Sequence, residues 1–434
     1  MSEILRGIIA QNRGGVPVAI PSVCSAHPDV LAASMARARK LHRPIVIEAT
    51  SNQVNQFGGY TGMKPLDFVA FVKDIAQKVD LPLNDIVLGG DHLGPQVWRS
   101  GPADEAMAKA RTMVADYVRA GFTKIHLDCS EGCAGEPAQV DDKLAATRAA
   151  ELAKCCETAA ASPKELLFVV GTEVPPPGGA RTDDHGDIPA TTSDAAQATL
   201  TAHRLAFEAA GISHLWSQVG GLVVQPGVEF TPMHVHPLPA DRDPKLRDAL
   251  ADWPGICLEA HSTDYQAADV YPKLAEFGFA FQKVGPALTF AWREAIYNLN
   301  TLRALAGWAT GPDIPETMEK IMLAAPDKWR GHYHGDNAAQ FLMRHFGLAD
   351  RIRYYWPEEQ AKIAVAQLFA DLSGRHLPAP LLSQCFSPAI VERSKQLMHD
   401  HGGEAARSLA AAAVQIMLDS YFFDATSTTM EAAA

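Results

Sequence analysis

The chain has 434 residues, 47% hydrophobic and 20% charged, and its 50 acidic and 38 basic side chains leave a net charge of −12. That balance excludes nucleic acid as a general partner, which demands an excess of Lys and Arg, but it leaves room for a small phosphorylated ligand held by a local cluster of donors. Seven scattered cysteines, an odd number, outline no disulfide framework and point to a reducing cytosol. No basic leader shows in Met1–Leu5, and no apolar run approaches the ~20 residues of a membrane span.

In chain order, eight β-branched apolar runs each stop on a polar residue. They are VPVAIPS at Ser22, PIVIEA at Glu48, DIVLGGDH at Asp91 and His92, and KIHLDC at Asp128, followed by LLFVVGTE at Glu173, SHLWSQ at Gln218, GICLEAH at His261 and FAFQKVG at Lys283. Between them lie helical segments: His27–Leu41, Leu66–Val79, Ala103–Ala120, Asp141–Ala161, Ser193–Ala210 and Asp264–Phe277. Several end on a glycine stop signal, such as Gly121, Gly211 and Gly278. A strand with its returning helix every few tens of residues predicts an α/β chain folded as a (β/α)8 TIM barrel, whose active sites sit at the C-terminal ends of the strands. The polar terminators would then ring one mouth.

Two long loops interrupt the rhythm. Glu173–Thr192 is rich in Pro, Gly and charge and reads as a lid over that mouth. The second, between the sixth and seventh strands, carries His234 and His236, a weak metal signal because exposed loop histidines are commoner than ligands. After the last barrel helix, Thr289–Ala306, a Pro-Asp linker near Gly311–Pro315 opens a mostly helical stretch. The expected division is a barrel over 1–310 and a helical C-terminal extension over 311–434.

The sharpest motif is GGDHLGP (Gly89–Pro95). Its glycines let the backbone turn, and Asp91 and His92 then point to different sides. An imidazole suits zinc or another first-row metal, and an adjacent carboxylate can move a substrate proton. The plainer alternative has Asp91 capping a turn while His92 packs locally. Glu173 closes an apolar strand, where a carboxylate needs a cation, either a metal or a Lys or Arg. The same reasoning makes His261 a candidate ligand. Gln218 could bind metal through its carbonyl or donate to a substrate hydroxyl. Glu48 and Asp128 suit sugar hydroxyls or support of ligating histidines, and Ser22 is a further candidate substrate contact. Lys283 would neutralise an oxyanion or phosphate, or pair with Glu173. Phosphate binding after the last two strands would fall to Ser262, Thr263 and the helix start that follows. CSEGC (Cys129–Cys133) lacks the second Cys pair of a metal site. The chain has no GxxxxGK[ST], no GxGxxG after its first strand and no GxSxG, which argues against a P-loop, a Rossmann nicotinamide site and a nucleophile elbow.

GGDHLGPQ, HLDCSEG, GTEVPPPGG, LEAHSTDYQ, KVGPALTFAWREA, RIRYYWP and LLSQ together resemble the GatZ/KbaZ family over nearly the whole chain. Members of that family have been described as the non-catalytic subunit of class II tagatose-bisphosphate aldolase, as tagatose 6-phosphate kinases, and as D-tagatose 6-phosphate 4-epimerases that give D-fructose 6-phosphate in galactitol breakdown. The family is distantly similar to the zinc-dependent class II fructose-bisphosphate aldolases. The resemblance therefore implies a class II aldolase-like barrel with a divalent metal, zinc by analogy, on His92, Glu173 and His261. It implies Asp91 as the proton-moving residue, with Glu173 and Lys283 as further catalytic groups. Its implied partners are a phosphorylated ketohexose, a class II aldolase catalytic subunit and a second copy of the chain. Two departures stand out. The aldolases' other ligating histidine, after strand six, has no clear counterpart, and STDYQ replaces their glycine-rich phosphate loop. Inversion at C4 of a 2-keto sugar needs either transient oxidation or cleavage and re-formation of the C3–C4 bond, and the missing nicotinamide fingerprint favours cleavage.

Overall fold

The computed structural model describes residues 2–172, 188–239 and 241–423. Eight parallel strands close into a barrel: β1 (Ile20–Cys24), β2 (Ile45–Thr50), β3 (Ile86–Leu93), β4 (Lys124–Asp128), β5 (Leu167–Gly171), β6 (Val219–Val223), β7 (Cys257–Ala260) and β8 (Phe279–Val284). Neighbours in sequence are neighbours in space, and β1 pairs with β8 to complete the ring. The (β/α)8 expectation holds.

One strand lies elsewhere than expected. SHLWSQ forms a 3-10 turn, Ser213–Gln218, and the strand is the following VGGLV. Two glycines make that run look like a loop, but packing requires them. A Cβ at Gly220 would come within 2.7 Å of the Leu167 side chain on β5.

Alternate residues of a strand face the same side, so the barrel interior is built in layers. At its N-terminal end, Ile20, Val46, Val87, Leu167, Val169, Val223 and Phe281 form an apolar cluster with Leu5, Ile8 and Ile9. Those three belong to α1 (Ser2–Arg13), a helix the periodicity of the strands gave no reason to expect. Their spacing gives α1 one apolar stripe, and burying each such side chain contributes about 1.5–3 kcal/mol. The helix plugs that end of the barrel, so the chemistry is confined to the other.

The outer helices are α2 (Pro28–Leu41), α3 (Pro65–Lys78), α4 (Ala103–Ala120), α5 (Asp142–Ala159), α6 (Ser193–Ala209), the short α7 (Val270–Glu276) and α8 (Pro286–Leu305). A small antiparallel hairpin, Glu229–Phe230 with Val235–His236, follows β6. From Ile314 onward come α9 (Ile314–Ala324), α10 (Asn337–Phe346), α11 (Glu359–Leu372), α12 (Ala379–Cys385), α13 (Pro388–His401) and α14 (Ala405–Asp419). One continuous hydrophobic cluster joins barrel residues such as Val30, Phe68 and Trp292 to Met318, Trp356, Leu409 and Tyr421 of this later stretch. Polar ties reinforce the packing. Arg303 of α8 reaches Asp371 of α11 at 2.7 Å, and Gln415 of α14 donates to the Ala33 carbonyl of α2. Among the described residues, no helix is long and apolar enough to cross a membrane.

Candidate active site

At the C-terminal end of the barrel a cleft is lined by Cys24, Thr50, Gln53, Asp91, His92, His261, Ser262 and Lys283, with Tyr60 from the loop after β2 and Arg353 and Tyr354 from between α10 and α11. Beneath it lies a layer of buried charge. Lys124, fully buried, bridges Glu48 and Glu259 at 2.6 Å each. Lys283 pairs with the other oxygen of Glu48 and lies 2.6 Å from Asp91. Gly89 makes room for this layer, because a Cβ there would meet the Glu48 side chain at 2.7–3.1 Å.

Three histidines stand above it. The ring centroids of His92, His126 and His261 are 5.1, 5.1 and 5.2 Å apart. Each ring carries a carboxylate on one nitrogen: Asp128 is 2.7 Å from His92 Nδ1, Asp91 is 2.9 Å from His126 Nδ1, and Glu259 is 2.9 Å from His261 Nε2. Asp128 is itself fixed by the Ser130 hydroxyl, which donates at 2.6 Å, and by the Ser130 amide. Strand parity alone would turn Asp91 and His92 to opposite sides. His92 instead adopts φ +48, a left-handed conformation that costs a non-glycine residue energy and clusters at functional sites. This brings His92 Nε2 to 3.6 Å from Asp91 Oδ2, so both residues serve one site.

The electrostatics follow from these pairings. Burial opposes charge on Asp91, but His92 and Lys283 outweigh it and hold the carboxyl well below its usual range. Burial also opposes the His92 imidazolium, yet Asp91 and the Asp128 hydrogen bond together raise its pKa. For His261 burial prevails over the Glu259 hydrogen bond and pushes the ring down to about 3, so it stays neutral. Lys283 and Lys124 are raised despite burial, Lys283 chiefly by Asp91 and Glu48, Lys124 by Glu259 and Glu48.

These residues suit a divalent cation. His126 Nε2 is buried without a hydrogen-bond partner, an unusual state for a polar atom unless something further binds it. Donor atoms of Asp91, His126, Glu259 and His261 lie within 4.8 Å of one another. Glu48, Asp91, Asp128 and Glu259 carry four negative charges against the two of Lys124 and Lys283. That formal surplus of two among the carboxylates and lysines matches the charge of a dication. Carboxylate-backed histidines are also the usual support of bound metals.

The structure thus brings together Asp91, His92, Asp128, His261, Lys283 and Ser262. It separates others from the cleft. Gln218 sits at the opposite end of the barrel, where its amide reaches the Pro163 and Leu166 carbonyls ahead of β5. The displaced strand boundary is the reason. Ser22 is buried one inward position below Cys24, and its hydroxyl has no hydrogen-bond partner. Glu48 is enclosed between two lysines and serves as their counter-ion rather than facing a sugar. The Thr263 hydroxyl donates to the Lys283 carbonyl at 2.6 Å and bonds Tyr421 at 3.0 Å, a latch to the C-terminal helices rather than a ligand contact. Glu173, and with it most of the expected lid, lies outside the described residues.

His126, Lys124, Tyr60, Arg353 and Tyr354 escaped the sequence reading. For the first two a signal existed: Lys124, His126 and Asp128 alternate along one strand, so all three share the face of the terminator already singled out. For Arg353 and Tyr354 no local signal points to a barrel whose last strand ends at Val284.

Comparison with known proteins places these features in context. Residues 5–426 match the family model for D-tagatose-1,6-bisphosphate aldolase subunit GatZ/KbaZ-like proteins. A D-tagatose 6-phosphate 4-epimerase from Agrobacterium fabrum strain C58 is 47% identical over 389 residues, covering 88% of this chain and 91% of that one. A crystal structure of a probable tagatose 6 phosphate kinase from Sinorhizobium meliloti 1021 superposes with a TM-score of 0.83 at 44% identity, over 93% of this chain and 99% of that one.

Proposed function

Because the chain belongs to the D-tagatose-1,6-bisphosphate aldolase subunit GatZ/KbaZ-like family, we propose that it is a sugar-phosphate epimerase. It interconverts D-tagatose 6-phosphate and D-fructose 6-phosphate by breaking and re-forming the C3–C4 bond. The observation that carries this reading is Asp91 paired with Lys283 beside three carboxylate-backed histidines at the C-terminal end of the barrel, on a chain without a nicotinamide or P-loop fingerprint.

We assign a divalent cation, zinc by the preference of imidazole ligands, to His92, His126 and His261, with Glu173 as a candidate further ligand. When bound, it supplies Lewis-acid polarisation of the substrate's carbonyl and hydroxyl oxygens. Asp91 takes the proton of the C4 hydroxyl. The C4–O electrons form the aldehyde, and the C3–C4 pair passes into an enediolate over C1–C3. Lys283, charged and 2.6 Å from Asp91, keeps that carboxylate ionised beforehand and faces the developing negative charge. After the aldehyde turns its other face to C3, the bond re-forms and Asp91 returns the proton. Lys124 and Glu48 lie one layer below and hold Glu259 and Lys283 in place. The seven cysteines are all unpaired, in keeping with work in a reducing cytosol.

The test is to incubate the purified, metal-loaded protein with D-tagatose 6-phosphate, without ATP or a partner, and to look for D-fructose 6-phosphate. No conversion, together with activation of a class II aldolase on mixing, would replace this reading with an accessory-subunit role; the family's own description names an aldolase subunit.

A further inference from the structure

We propose that Arg353, supplied by the C-terminal extension, anchors the phosphate of the sugar and holds the aldehyde fragment while it turns. This rests on the reaction proposed above. Arg353 lines the cleft that contains Asp91, His261 and Lys283, and also an adjoining cavity of about 440 Å³ between the barrel and the extension. Its guanidinium donates to the Ala349 carbonyl, to the Asp350 carbonyl at 3.0 Å and to the Tyr354 hydroxyl at 2.9 Å, and it lies 4.4 Å from the Tyr354 ring centre. None of these partners is a carboxylate. The Asp350 carboxylate turns away, to the Thr289 hydroxyl and to Arg293. Lys283, the cleft's lysine, is already balanced by Glu48 and Asp91. Arg353 is therefore a half-buried, pre-oriented cation paired with no carboxylate among the described residues. A planar fork of this kind recognises phosphate.

Most of the other expected phosphate site is already taken. The first amides of α8, at Gly285 and Ala287, donate to Asp264 Oδ1 at 3.1 and 2.9 Å. A phosphate there would meet a carboxylate, and Thr263 is committed to Lys283 and Tyr421. Cleavage at C3–C4 leaves the phosphate on the three-carbon aldehyde. An anchor at Arg353 grips the fragment that must turn without escaping, which is what separates an epimerase from an aldolase.

The experiment titrates metal-loaded wild type, Arg353→Met and Arg353→Gln with D-fructose 6-phosphate and with inorganic phosphate by calorimetry. The Gln variant keeps a donor for the Ala349 and Asp350 carbonyls, so whichever variant folds with its metal decides. Sugar-phosphate affinity should fall about 10²-fold, the scale for truncating one partner of a buried charge pair, and inorganic phosphate should cease to bind. KM should rise more than kcat falls, and a dehydrogenase-coupled assay should detect glyceraldehyde 3-phosphate leaking from the variant. Affinity within threefold of wild type in a folded variant overturns the proposal. If wild type does not epimerise the sugar but binds it through Arg353, the anchor stands and the proposed reaction falls.

Discussion

Asp91 Oδ1 lies 2.9 Å from Nδ1 of His126, a residue 35 positions later on the adjacent strand. The pairing leaves His126 Nε2 as a buried atom without a partner, on a ring whose centroid lies 5.1 Å from that of His92 and 5.2 Å from that of His261. Substituting His126 should therefore cost as much metal as substituting either of the other two. We expect His92→Ala, His126→Ala and His261→Ala each to lose bound divalent metal in elemental analysis and chelation to abolish turnover. Full metal content in His126→Ala would remove that residue from the ligand set.

Asp91→Asn keeps the shape and its neighbours but cannot accept the C4 hydroxyl proton. Turnover should fall by roughly 10²–10⁴-fold, the range for loss of a general acid–base group, while bound metal persists. A rate near wild type would move the proton transfer to another acid, with Asp128 and Glu173 next in line.

Lys124 is fully buried between Glu48 and Glu259. Lys124→Met would leave two buried carboxylates short of a cation. Removing one partner of such a pair destabilises by about 3–5 kcal/mol, so urea unfolding should show a loss of that order. A loss under about 1 kcal/mol would mean that water or Lys283 takes over the charge.

Asp350 gives a pH dependence of definite sign. Burial raises its carboxyl to about 6, with Arg293 and the Thr289 hydrogen bond opposing. Its unfolded value is near 3.9, so the folded state holds the proton more tightly. The stability this contributes is fully present below about pH 4 and is lost as pH rises through about 6, by roughly 3 kcal/mol in all. Asp350→Asn cannot titrate. The stability of wild type relative to this variant should fall between pH 4 and 6 in denaturant melts, and a flat or rising difference would show that Asp350 is not held protonated.

The sequence by itself determined the barrel and much of its rim. Short apolar runs that each stop on a polar residue, with glycine-stopped helices between them, leave few folds open, and a polar residue ending such a run must lie near the mouth. Asp91, His92, Asp128, His261 and Lys283 were legible for that reason. Gln218 was misplaced because the Gly220–Gly221 pair hides a strand whose need for small residues arises only against Leu167 and Val169 on β5. The joint use of Asp91 and His92 depends on one left-handed residue, which strand parity cannot foresee. Which carboxylate backs which histidine, and how Lys124 joins Glu48 to Glu259, depends on distances across a closed ring. Arg353 and Tyr354 reach the cleft only because the later helices share one hydrophobic core with the barrel. Local pattern records which face a side chain takes, and only the closed tertiary structure decides what it meets there.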